Sequence, residues 1–231
     1  MITKTIIIPC FNEINTIAEI IKRVNENISD EDRIIIVDDG STDGTKEYLS
    51  KIEKENILVK FHEKNFGKGK AIQTALENEL NDVVIIQDAD LEYNPKDFKF
   101  LIKPFIETNA EVVYGSRFIG NNEYTRIHLF WHYIANKTLT FICNVFTNLN
   151  MTDMETGYKC FKKEVISVLK LEEKSFGIEP EITIKLAKKN FIFYEVPISY
   201  AGRSYNEGKK IGLKDAFRAI YSIFKYSLFS K

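Results

Sequence analysis

The regular alternation of short β-branched runs with helix-period segments limits this chain to few folds. The runs "KTIII" (4–8), "RIIIVD" (33–38), "ILVKFH" (57–62), "DVVIIQ" (82–87) and "AEVVYG" (110–115) have strand length and are largely apolar on both faces. Between the first two, Ile14, Ile17, Ile21, Val24 and Ile28 recur at spacings of three and four, the period of an amphipathic helix. "TDGTKEYLSKI" predicts a second helix capped by Thr42 or Asp43, and a third is expected from Gly69 to Glu79. Asn94-Pro95 opens a fourth, because proline suits the first helical position. A strand that is apolar on both faces must be covered on both faces, and parallel neighbours need crossover helices. The pattern therefore predicts an α/β fold of three layers, α/β/α, around a mainly parallel central sheet. The second half is less regular: a long helix through 127–148, a strand near "GYKCFKK", a helix in "EPEITIKLAKK" and a strand at "FIFYEVPI".

At 231 residues the chain has room for one domain, with or without an appendage. Lys plus Arg (32) nearly balance Asp plus Glu (33), which excludes the basic surplus of a nucleic-acid binder. Cys10, Cys143 and Cys160 are too few and too scattered for a disulfide framework or a zinc site, and the N-terminus runs straight into a strand. A cytoplasmic protein is expected, with the sequons at Asn136 and Asn150 coincidental. The greasy stretch at 127–151 is broken by His128, His132, Asn136, Lys137 and Asn144, so it does not read as a membrane span. The C-terminal "IGLKDAFRAIYSIFKYSLF" is amphipathic, with Leu213, Phe217, Ile220, Ile223 and Phe224 on one side and Lys214, Arg218 and Lys225 adding positive charge. Such a helix can lie on a membrane surface or dock on the core, and the sequence favours neither.

Open parallel sheets bind ligands at the carboxyl ends of their strands. The loops there read "PCFNE", "DDGSTDG" and "QDADLEYNP". Asp88, Asp90 and Glu92 crowd three carboxylates within five positions, a repulsion that a divalent cation would relieve; a helix-capping acidic turn is the other reading. Asp38 and Asp39 form a second acidic pair, suited to nucleobase or ribose groups or to an Asx-turn. "NFGKGKAIQTAL" lacks the P-loop pattern, yet its glycine-rich helix start with Lys68 and Lys70 can favour an anion.

Taken in order, "IIIPCFNE", "VDDGSTDGT", "NFGKGKA", "QDADLEYNP", "VVYGSRF", "MTDMETGYKCFKKEVI", "GIEPEITIKLAKK" and "YEVPISYAGRSYNEGKKIGLKDAFRAI" resemble the family two glycosyltransferases of GT-A (Rossmann-like) fold. The resemblance is narrower to the branch that glycosylates dolichyl or polyprenyl phosphate, and it covers about residues 4 to 225. It implies a catalytic domain over 1–203 and a C-terminal loop and helix over 204–231. It implies that Pro9, Phe11, Glu13 and Asp39 surround the base and ribose, that Asp38 supports them, and that Lys68, Ala89 and Lys209 complete the nucleotide-sugar site. Asp88, Asp90 and Glu92 would hold Mg²⁺ or Mn²⁺ on the diphosphate, and Arg203, Lys209 and Lys210 would close a loop over it. Asp153 matches an acceptor-side acid that can act as a base, with Glu155 its nearby competitor; Arg117 matches an acceptor-phosphate arginine. Relatives often carry a second arginine before an Ala-Asn pair; here "WHYI" precedes Ala135-Asn136, leaving His132 or Arg126 as substitutes. The implied function is inverting transfer of a hexose from a UDP- or GDP-sugar to a lipid phosphate at the cytosolic membrane face. The alternatives are transfer to a sugar hydroxyl and a dead sugar-nucleotide-binding protein. A sugar nucleotidyltransferase is disfavoured, because "IIIPCFNE" is unlike its glycine- and arginine-rich N-terminal loop.

Overall fold

A computed structural model describes residues 2–120, 129–202 and 213–229. The elements run β1 (Lys4–Cys10), α1 (Ile17–Asn25), β2 (Arg33–Asp38), α2 (Thr45–Leu49), β3 (Ile57–Phe61), α3 (Lys68–Leu76), β4 (Val83–Ile86), α4 (Phe98–Glu107), β5 (Val112–Ser116), α5 (Phe130–Thr147), β6 (Lys159–Lys162), α6 (Lys163–Ser167), α7 (Ile178–Lys188), β7 (Phe193–Pro197) and α8 (Leu213–Phe229). A 3-10 turn over Pro95–Asp97 precedes α4, with the Asn94 side chain accepting from the Lys96 amide. The short α6 was not foreseen, since five residues are too few to display a helical period.

Seven strands form one sheet in the order β3-β2-β1-β4-β6-β5-β7. Every pairing is parallel except those of β6, which runs antiparallel to β4 and β5. Successive strand residues point to opposite faces. Ile7, Ile35, Val84 and Tyr114 accordingly pack on the side of α3, α5, α7 and α8. Ile6, Ile8, Ile34, Ile36, Ile85 and Val113 pack on the side of α1, α2 and α4. The expected three layers are present, and burial of each such side chain contributes about 1.5–3 kcal/mol.

Reversing β6 decides where the site can form. Because Ile85 pairs with Cys160 and Val83 with Lys162, the chain entering β6 lies beside the chain leaving β4. The segment before β6 is thus delivered to the edge where β1, β2, β4 and β5 end. β7, parallel to β5 with Ser116 opposite Pro197, leads residues 198–201 to that edge too.

α8 docks on the core. Ala219, Ser222, Ile223 and Tyr226 are buried, while Phe217, Tyr221, Leu228 and Phe229 face outward. Arg218 donates to Glu173 through Nε (3.0 Å) and Nη2 (2.8 Å), fastening the helix to the loop before α7. The single apolar side expected from the sequence is therefore two sides. No described helix is long and apolar enough to cross a membrane.

Candidate active site

The ends of β1 and β2 are laced into one ledge. The Asp39 amide donates to the Cys10 carbonyl (2.8 Å) and the His62 amide to the Asp38 carbonyl (2.8 Å). Asn12, at φ +52°, accepts from the Thr42 amide and donates its own amide to Ser41 Oγ, both at 2.8 Å. Gly40, at φ +75°, lies so close to the backbone of Lys64 and Asn65 that a Cβ would collide with them. Pro9 is buried in β1, Phe11 is half-buried beyond it, and the Glu13 carboxylate accepts from Thr16 Oγ1 (2.8 Å).

Asp39, expected at the base and ribose, is tied to the loop after β3. It accepts from His62 Nδ1 (2.7 Å) and from the amides of Phe66 (2.9 Å) and Gly67 (2.7 Å). Asp38 accepts from the Ser41 amide through Oδ2 (3.2 Å), whereas its buried Oδ1 has no partner among the described residues.

Past β4, Asp88 meets an internal cation. Lys68 Nζ, at the start of α3, lies 2.8 Å from Asp88 Oδ1 and 2.9 Å from Glu179 Oε1. Burial works against the charged ammonium, but the charges of Asp88 and Glu179 outweigh it and hold Lys68 well above the ordinary lysine range. The other Asp88 oxygen faces Gly157, where any Cβ would collide with Oδ2 and with the Tyr93 ring. Ala89 is buried, its carbonyl accepting from Thr16 Oγ1 (3.0 Å). Asp90 Oδ1 accepts from the Glu92 amide (3.0 Å), and Glu92 Oε2 accepts from the Tyr200 hydroxyl (2.7 Å).

Among the described residues no three His, Cys, Asp or Glu side chains converge as a metal cage, so the acidic triplet is not a preassembled three-acid site. Each acid is turned to a different partner: Lys68, the Glu92 amide and Tyr200. A Mg²⁺-type ion needs only one or two carboxylates when phosphate oxygens supply the rest. Asp88, already holding a cation, and Asp90 fit that mode with an all-oxygen donor set.

Arg117 after β5 and Asp153 before β6 form a buried fork. Nε donates to Asp153 Oδ2 and Nη2 to Oδ1, each at 2.7 Å, and the Arg117 amide adds a bond to Oδ2 (3.0 Å). Asp153 is fully buried, and Glu195 fixes its backbone by accepting from the amides of Thr152 and Asp153. Tyr200 lies under the guanidinium, 5.2 Å from ring centroid to Cζ. His132 lies one turn from Asn136 on α5: its carbonyl accepts from Asn136 Nδ2 (2.9 Å), and Asn136 Oδ1 reaches Arg117 Nη2 at 3.5 Å. Arg126, Arg203, Lys209 and Lys210 lie outside the described residues.

The glycosyl transferase family 2 profile matches residues 5–169, most of the chain. The chain belongs to that family. Family membership makes it a hexosyltransferase. Among curated relatives, a UDP-N-acetylglucosamine–dolichyl-phosphate N-acetylglucosaminyltransferase of Methanococcus voltae is 30% identical over 94% of this chain and 93% of its own. Glycosyltransferase AglJ of Haloferax volcanii is 30% identical over 86% of this chain, which spans 63% of AglJ. The fold also matches solved structures. Glucosyl-3-phosphoglycerate synthase of Mycobacterium tuberculosis, in complex with Mn²⁺, UDP and phosphoglyceric acid, superposes with a TM-score of 0.75. It is 17% identical, over 98% of this chain and 79% of that one. The sheet is thus that of a GT-A glycosyltransferase, and the similarity to the Methanococcus voltae enzyme sets this family 2 enzyme with the polyprenyl-phosphate branch.

Several residues of the transferase site were not singled out by sequence. Glu179, Glu195 and Tyr200 reach it from the far half of the chain, and no local pattern links them to Lys68, Asp153 or Glu92. Glu155, noted only as a competitor of Asp153, has a buried Oε1 with no partner among the described residues; burial, then the charge of Glu179, lifts its carboxyl to about 8. Burial pushes Lys159 down to about 8, and its Nζ donates to the carbonyls of Met154 (2.7 Å) and Thr156 (2.6 Å).

Proposed function

We propose that this enzyme transfers a hexosyl group, with inversion, from a UDP-sugar to a polyprenyl or dolichyl phosphate at a membrane surface. The Arg117–Asp153 fork carries the reading. Both Asp153 oxygens are taken by Arg117, so the carboxylate is placed to orient the guanidinium rather than to accept a proton. A hydroxyl acceptor needs a base. A phosphate monoester is already an anionic nucleophile and needs a positive anchor instead. Arg117 Nη1 has no hydrogen-bond partner among the described residues, and a guanidinium suits a phosphate.

On the donor side, Lys68 and the ledge of Pro9, Phe11 and Asp38 would receive the nucleoside diphosphate. A divalent cation, when held by Asp88 and Asp90 beside Glu92, would supply charge that neutralises the departing diphosphate. The uridine choice is supported by the name of the Methanococcus voltae relative and by UDP in the Mycobacterium tuberculosis complex. The lipid choice is supported by α5, where Phe130 and Trp131 are 64% and 77% exposed and which also carries Asn136, the partner of Arg117.

The test is transfer from labelled UDP-N-acetylglucosamine, UDP-glucose or GDP-mannose, with Mg²⁺ or Mn²⁺, to a polyprenyl phosphate or to free glycans. Label from a UDP-sugar passing into the organic phase is expected. Transfer from GDP-mannose alone would overturn the donor, and label found only on water-soluble glycans would overturn the acceptor.

A further inference from the structure

We infer that Lys68 is a built-in counter-ion that keeps Asp88 closed to a lone divalent cation and so makes cation and nucleoside diphosphate bind cooperatively, with Glu179 as the residue that positions it. This deepens the proposed function and rests on its donor site. Lys68 Nζ is held between Asp88 Oδ1 at 2.8 Å and Glu179 Oε1 at 2.9 Å, with only 15% of the lysine side chain exposed. The opposite Asp88 oxygen lies against Gly157, where a Cβ would collide with it, so that side of the carboxylate has little room to move.

A metal ion arriving alone therefore meets a fixed positive charge on the carboxylate it needs, in a place that water screens poorly. A diphosphate changes the balance. Its oxygens offer the ammonium a third anionic partner and draw it off Asp88, while Glu179 keeps it inside the site. Asp88 then faces a cation that also binds the phosphates. Coupling of this kind is reciprocal: the factor by which UDP tightens the metal is the factor by which the metal tightens UDP. Glu179 has no other ion-pair partner among the described residues, and its second oxygen is buried without a hydrogen bond. Among the described cations Lys68 is the one it pairs with, while its charge also reaches Lys159.

The measurement is Mn²⁺ affinity, by electron paramagnetic resonance of free Mn²⁺, with and without saturating UDP. The wild-type protein should bind Mn²⁺ weakly alone and at least about fivefold more tightly with UDP, the lower end of ordinary coupling. Lys68→Met should tighten Mn²⁺ alone by a similar factor and lower the ratio, leaving only the part that the phosphate oxygens supply directly, whereas Lys68→Arg, which keeps the charge, should retain the wild-type coupling. Removing Lys68 leaves Asp88 and Glu179 uncompensated and can harm folding. The double variant Lys68→Met with Glu179→Gln removes that repulsion and is expected to show the same tighter Mn²⁺ binding and the same lowered ratio. If wild type binds UDP with Mn²⁺ but neither Lys68→Met nor the double variant changes the affinity for Mn²⁺ alone, the inference is wrong and the donor site stands. If wild type binds no Mn²⁺ with UDP or GDP, the donor site and the inference fall together.

Discussion

Arg117 and Asp153 are the pair whose chemistry separates the two acceptors. Asp153 is buried and its carboxylate grips the guanidinium at two points, so replacing it leaves a buried cation short of its partner. Loss of one member of such a pair costs about 3 kcal/mol or more of stability. Asp153→Asn keeps one acceptor oxygen for Arg117, and turnover per folded molecule is expected to stay within roughly tenfold of wild type, with a lower melting temperature. Arg117→Ala removes the proposed phosphate anchor and should lower kcat/KM for the lipid phosphate by about a hundredfold, the usual scale for a lost charge-stabilising donor. Steady-state kinetics on both variants, corrected for folded fraction, gives the order of the two losses. The reverse order, with Asp153→Asn near zero and Arg117→Ala mild, would restore a base and a hydroxyl acceptor. The residue types at these positions were legible from sequence; their mutual fork was not, because it joins the ends of β5 and β6, strands that pair only in the folded sheet.

Elements carry the surface argument. In α8, Phe217, Tyr221, Phe224 and Leu228 recur at four, three and four, and Ala219, Ile223 and Tyr226 at four and three with Ser222 between them. The first set is exposed and the second is buried. Both obey the helical period, so sequence could show that the helix has apolar residues around much of its circumference but not which stripe meets the core. On α5, Phe130, Ile134, Phe141 and Val145 form another exposed apolar stripe, and Phe146 meets Phe224 edge-to-face at 5.2 Å, joining the two helices. The neighbouring cations Arg218 and Lys225 are paired with Glu173 and Glu172, so attraction to anionic lipid is not the main term. The enzyme is therefore expected to float with neutral phosphatidylcholine vesicles. Phe130→Glu with Trp131→Glu, both exposed and cheap for the fold, should reduce the bound fraction at least about tenfold, since each large side chain inserted is worth about 1.5–3 kcal/mol. Activity on a short, water-soluble isoprenyl phosphate should be retained. Flotation unchanged by this double substitution would remove α5 from any lipid contact.

At the scale of the whole molecule, the parallel half of the sheet was legible because its strands are apolar on both faces and alternate with helices. The reversal of β6 was not: four residues, one of them the buried Lys159, carry no sign of strand direction. That reversal brings Glu155 and Lys159 toward Glu179, and it sets up a pH dependence of global stability. Glu155 titrates at 4.5 in an ordinary setting and at about 8 here, raised first by burial and then by the charge of Glu179. Between those values the folded protein keeps a proton that the unfolded chain has released. Its contribution is thus fully present below the unfolded value and is lost as pH rises toward about 8. Lys159, lowered to about 8 from 10.5, acts in the opposite sense: the folded state sheds its proton first, so its contribution grows only as pH climbs from 8 toward 10.5. From pH 5.5 to 8 the Glu155 effect should dominate this pair. Glu155→Gln makes the group permanently neutral at nearly constant volume, and its stability relative to wild type should improve with pH, by at most about 1.4 kcal/mol per pH unit. Urea unfolding of both proteins at pH 5.5, 7 and 8, without metal or nucleotide, measures that difference directly. Two profiles that stay parallel across the window would mean that Glu155 is already ionised in the folded protein and that its buried oxygen has a partner.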